Sequence, residues 1–72
     1  MNLKKIIGQR IALYRKKHNL TQQQLANELG ISLGTVKKYE EGQRIPRDEI
    51  KVKLAKRLGT SVQEMFYGGE WE

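Results

Sequence analysis

Residues 20–42, LTQQQLANELGISLGTVKKYEEG, contain two helix starts and two helix stops. Thr21 can cap the first helix through its hydroxyl, and Gln24, three residues on, completes a T-x-x-Q capping box. Leu20 before the cap and Leu25 at the fourth helical position can pack as a hydrophobic staple. The arrangement recurs at Ser32, a cap candidate with Ile31 before it and Val36 at the fourth helical position. Gly30 stands between the two helices and can take the left-handed conformation that ends a helix. A helix of about eight residues is too short to persist alone in water, so it must pack on a partner, and the next helix is the nearest. Ala26 is small enough to allow a close crossing, and Val36 points back between the pair. The stretch therefore predicts a helix-turn-helix, with helices over 22–29 and about 33–41.

The flanking sequence supplies three further helices and no strand signal. The first runs from about Leu3 to His18, where Ile7, Ile11 and Tyr14 form a stripe with Ile6 and Leu3 beside it. Gln43 to Pro46 is a connecting loop. The fourth helix starts near Pro46 or Arg47, since proline is tolerated in a first turn, and continues to Leu58. Ile50, Leu54, Ala55 and Leu58 share its apolar face, and Gly59 ends it. Ser61 caps a short last helix, with Glu64 in the capping-box place and Val62, Met65 and Phe66 apolar. Residues 1–66 make one all-α domain and 67–72 a short C-terminal tail. Tyr39 is expected in the core. His18 reads as a helix C-terminal residue, and Asp48 and Glu49 as first-turn acids that offset a helix dipole.

Seventy-two residues permit one domain with a modest core, since a chain of this size buries only about 60% of its unfolded surface. The chain has no cysteine, so a disulfide framework and a cysteine-based zinc site are both excluded; no metal or cofactor is expected. No apolar run approaches the ~20 residues that span a bilayer, and the N-terminal MNLKKIIGQRIALYRKK lacks the apolar centre of a signal peptide. The cytoplasm is the simplest location, with no membrane partner. One histidine, no glycine-rich phosphate loop and little room for a pocket argue against an enzyme. Net charge is +6, and its distribution is uneven. Residues 1–44 hold nine Lys/Arg against three Asp/Glu, whereas residues 45–72 hold five of each. The excess positive charge thus sits with the helix-turn-helix, which suits a polyanionic partner.

Gln22, Ala26, Gly30 and Val36 occupy the signature positions of the lambda repressor-like helix-turn-helix family, the Cro or XRE type. TQQQLANELGIS followed by TVKKYEEG resembles that family's motif almost residue for residue, and the resemblance extends from about Ile7 to Phe66. It implies a compact five-helix DNA-binding domain of bacterial or phage origin. The implied function is a sequence-specific transcriptional regulator, a repressor of the phage or mobile-element type. The resemblance also implies that Gln22 contacts a backbone phosphate, and that Arg15 and Glu40 form a partly buried salt bridge between the first and third helices.

The exposed face of the third helix is expected to enter the major groove, N-terminal end first. Ser32, Leu33, Gly34, Thr35, Lys37 and Lys38 are its contact candidates, with Gln22, Gln43 and Arg44 directed to phosphates. Lys38 can reach guanine acceptors or a phosphate, and Leu33 a thymine methyl. The resembling family often carries Gln, Arg or Asn where this chain has Leu33 and Gly34, which shifts specificity toward Lys38, Thr35 and DNA shape. Glycine near a helix start costs up to about 1 kcal/mol against alanine. Gly34 either lets the backbone approach the duplex closely or is merely tolerated. One such module buries only about 600–1,000 Å² on DNA, so a homodimer is expected. Its recognition helices would lie about 34 Å apart on a palindromic operator. Val52, Phe66, Tyr67 and Trp71 are the dimer candidates, as apolar residues with no evident core duty. The rival reading is an antitoxin or anti-repressor type module that binds a regulatory protein partner, with DNA binding secondary.

Overall fold

Asn2 opens the first helix by accepting a hydrogen bond from the Lys5 amide at 3.2 Å. The structure, a computed structural model, describes residues 2–68. Helix α1 spans Leu3–Lys17, α2 Gln22–Leu29, α3 Leu33–Glu40 and α4 Asp48–Arg57. A last, π-helical segment, α5, spans Gln63–Tyr67. There is no strand among the described residues.

The caps are those the side chains dictate. Thr21 and Gln24 form the full reciprocal box: the Gln24 amide donates to Thr21 Oγ1 at 3.0 Å, and the Thr21 amide donates to Gln24 Oε1 at 2.8 Å. Ser32 Oγ accepts from the Thr35 amide at 3.1 Å. α1 to α4 end in one way, with a residue at positive φ after the last turn: Asn19, Gly30, Gly42 and Gly59. The next amide then folds back to the helix, as in Ile31 to the Ala26 carbonyl at 3.0 Å and Gln43 to the Lys38 carbonyl at 2.9 Å. These stops leave short connections, which is how four helices fit within 55 residues (3–57).

One core joins all five elements. It contains Ile7 and Ile11 of α1, Leu25, Ala26 and Leu29 of α2, and Val36 and Tyr39 of α3. Ile50 and Leu54 of α4, Leu58 beyond it, and Met65 and Phe66 of α5 complete it. α3 packs between α1 and α2, α5 returns against α1, and α4 leans on α2. The wide π-helical turn brings the adjacent Met65 and Phe66 to the core together.

Several details differ from the sequence expectations. α1 stops at Lys17 and α3 at Glu40, one residue early in each case, with His18 and Glu41 as half-in cap residues. α4 begins at Asp48; Pro46 lies outside it, buried in the loop, and Arg47 is the cap residue. Leu3, expected beside the apolar stripe, is about half exposed because α1 overhangs the core at its start. Tyr67 belongs to α5 rather than to a tail. Phe66 is not a surface residue available to a second copy: it is 1% exposed, sealed in this chain's own core. Trp71, and most of the expected tail, lie outside the described residues.

Candidate nucleic-acid interface

The third helix is held from behind by its last residue. Arg15 of α1 clasps Glu40 with both ends of its guanidinium, Nε to Oε2 at 2.7 Å and Nη2 to Oε1 at 3.1 Å. The third guanidinium nitrogen, Nη1, donates to the Leu20 carbonyl at 2.8 Å, between α1 and α2. Gln22 joins from the first turn of α2, its Nε2 donating to Glu40 Oε1 at 2.9 Å. The ion-pair side chains are 11% and 7% exposed, so this is a nearly buried network that ties three helices at one point.

Two glycines let α1 approach that closely. A Cβ at Gly8 would sit 2.4 Å from the Tyr39 carbonyl oxygen and 2.7 Å from that of Glu40. A Cβ at Gly42 would sit 2.9 Å from Lys5 Cα, and Gly42 also has φ +77°. The C-terminal end of α3 is therefore pressed against α1, backbone to backbone. The start of α1 lies by the loop after α3, where Asn2, Leu3, Lys4 and Ile45 border one depression.

The opposite face of α3 is open. Residues 34, 38 and 41 share its outermost stripe and are all exposed, as are Ser32 and Lys37. Leu33 and Thr35 are half-buried at its flanks. Thr35 faces the α4 side, lining a shallow depression with Ile31, Tyr39, Arg44, Ile45, Arg47 and Ile50. Gln43 and Arg44 are exposed just beyond the helix. Among the described residues Lys37, Lys38 and Arg44 have no acidic partner. Gln43 is engaged, its Nε2 donating to Glu41 Oε1 at 3.1 Å. Gln22 keeps one amide hydrogen beyond the one given to Glu40, since a side-chain amide carries two. Burial pushes the Tyr39 phenol above its ordinary 10.0, against the opposing pull of the Arg44 and Arg47 charges. Both of those arginines thus bear on the edge of α3.

Sequence reasoning did not single out Gly8, although a glycine inside a long amphipathic helix is itself a sign of close packing. It also passed over Arg10, whose Nη1 donates to the Glu64 carbonyl at 2.9 Å and fastens α5 to α1. The Gln22–Glu40 contact has no sequence signal, because 18 residues separate the two. His18 Nε2 donates to the Leu58 carbonyl at 2.9 Å, joining the ends of α1 and α4. Glu28 and Arg57 pair between α2 and α4. On the α4–α5 side, Lys51 Nζ donates to the Tyr67 hydroxyl at 2.7 Å and lies over the rings of Tyr67 and Phe66. Val52 and Tyr67 remain exposed there, at 43% and 53%. No helix among the described residues is long and apolar enough to cross a membrane.

Two short crossed helices, with the second presented on an open basic face, define a helix-turn-helix domain. The helix-turn-helix family model matches residues 11–65. The chain belongs to the helix-turn-helix family of DNA-binding transcriptional regulators. It is 46% identical over 65 residues to a cryptic phage CTXphi transcriptional repressor of Vibrio cholerae, covering 90% of this chain and 56% of that one. The chain therefore spans little more than half the length of that relative. An uncharacterized HTH-type transcriptional regulator of Methanocaldococcus jannaschii is 37% identical, over 79% of this chain and 86% of its own. Among solved structures, the restriction-modification controller protein C.AhdI of Aeromonas hydrophila superposes with a TM-score of 0.79. It is 32% identical, over 86% of this chain and 94% of its own.

Proposed function

We propose that this chain is a sequence-specific DNA-binding regulator of the repressor type, from a phage or mobile element, acting in the cytoplasm without catalysis. The observation that carries the reading is α3 itself. It is braced behind by the Arg15–Glu40–Gln22 network, while Gly34, Lys37, Lys38 and Arg44 stay exposed in front. In this reading α3 enters the major groove, Lys38 reaches guanine acceptors, and Gln22, Lys37, Gln43 and Arg44 hold phosphates on either side. Ser32 caps the helix at its point of entry. A single module of this size needs a second copy for useful affinity, so the working form is a homodimer on a palindromic operator. The exposed Val52 and Tyr67 lie on the side offered for that contact.

Selection of bound duplexes from a random pool, with sedimentation to count subunits, tests the proposal. One palindromic motif should be enriched. Affinity should fall roughly 1,000- to 100,000-fold between about 50 and 200 mM salt, as for 6–10 phosphate contacts. Lys38→Ala should change which sequences are enriched, whereas Gln22→Ala should weaken all of them alike. Failure to enrich any motif, with salt-insensitive capture of a protein partner, would favour the antitoxin or anti-repressor reading.

A further inference from the structure

The leading turn of α3 carries no amide, carboxylate or cationic side chain. Leu33 is apolar and Gly34 has no side chain. The Thr35 hydroxyl is paired with Ser32 Oγ at 2.8 Å, and Ser32 Oγ already accepts from the Thr35 amide. The cationic heads come one turn later, at Lys37 and Lys38. Bidentate amide readout of adenine, which Asn or Gln performs, has no residue to perform it at 33–35. What that turn does present is a low apolar surface.

Nothing inside the protein requires glycine at its centre. A Cβ at Gly34 would meet only Ser32 Oγ, at 3.9 Å, and the backbone there is ordinary helix. Glycine is the poorest helix former after proline, so the residue weakens α3 with no internal gain. Residue 34 is also on the outermost stripe, directly N-terminal to Lys38. Side chains in a helix lean toward its N-terminus, so a bare position 34 leaves the ground beneath Lys38 clear.

Resting on the DNA-binding reading above, we infer that Leu33, Gly34 and Thr35 form a methyl-reading surface, seated against thymine 5-methyl groups at the centre of each half-site. Gly34 sets the depth of seating. Each methyl buried there contributes about fourfold in affinity.

The test uses the full chain and the duplex enriched from the random pool. Thymines are replaced one at a time by uracil, which deletes the 5-methyl and keeps the pairing. Replacement at the half-site centre should weaken binding about fourfold per methyl. Replacement at outer positions should change nothing, which separates a local contact from altered duplex stiffness. Gly34→Ala should raise the melting temperature, weaken binding to the thymine duplex and abolish the thymine–uracil difference. Equal binding of thymine and uracil duplexes, or a Gly34→Ala variant that binds as the wild type does, overturns the inference and leaves the regulator reading intact. A wild type that binds no duplex in a salt-dependent way overturns both.

Discussion

A methyl group added at Gly8 would fall within 3 Å of two α3 carbonyl oxygens, while one added at Gly34 would meet only Ser32 Oγ, at 3.9 Å. Glycine therefore has opposite meanings in two helices of one chain. Gly8→Ala gains helix propensity of about 1 kcal/mol, yet it pushes backbone against backbone, which cannot rotate aside. The net expected result is a loss of about 1–3 kcal/mol, read as a lower urea midpoint; an unchanged midpoint would contradict the close approach of α1 and α3. Tyr39 gives a pH-dependent prediction at the same scale. Its raised phenol pKa means that the folded state favours the neutral form. That contribution is whole below about pH 10 and fades as pH rises through the higher folded value. Tyr39→Phe should flatten this alkaline decline in stability above about pH 10. A variant that declines as steeply as the wild type would assign the loss to other groups. Tyr39 was expected in the core from the family resemblance, and it is buried. Gly8 was passed over, because its partners are carbonyls 31 and 32 residues away.

At the level of elements, α3 is positioned by what lies at its two ends. Its start depends on Ser32, its stop on Gly42, and its bearing on the Arg15–Glu40 clasp with Gln22. Removing one partner of a buried ion pair strands the other charge. Glu40→Ala should therefore cost about 3 kcal/mol or more, whereas the exposed neighbour Glu41→Ala should stay within about 0.5 kcal/mol. Equal thermal shifts for the two variants would show that the clasp does not fix α3. Helix existence, both ends of α2 and the starts of α1 and α3 were readable because capping and stopping are local chemistry. The π-helical form of α5 was not, since it follows from seating both Met65 and Phe66 in a core that other helices build.

Across the whole molecule, the surfaces proposed for DNA and for a second copy are built on different elements. Lys37, Lys38 and Arg44 lie on and just after α3, while Val52 and Tyr67 belong to α4 and α5, where Lys51 bridges to the Tyr67 hydroxyl. In the proposed dimer, a contact through Val52 and Tyr67 leaves α3 clear for DNA. Val52→Asp should shift sedimentation toward monomer and weaken operator binding, with the melting temperature of the monomer nearly unchanged because Val52 supports no core contact. A variant that dimerises as well as the wild type would move the contact elsewhere. Phe66 carries the lesson at this scale. Its apolar character was plain in the sequence, but whether it faced inward or outward depended on where α1 passed.

The order of residues by itself determined that there are five helices, and it determined the caps of α2 and α3 and the turn between them, because those rest on side chains within four or five positions of one another. It also determined which half of the chain carries the excess positive charge. Only the tertiary structure decided that Phe66 is core, that Gly8 and Gly42 are points of backbone contact, and that Gln22 shares Glu40 with Arg15. Those outcomes depend on surfaces brought together from distant parts of the chain, and no local pattern encodes the distance between them.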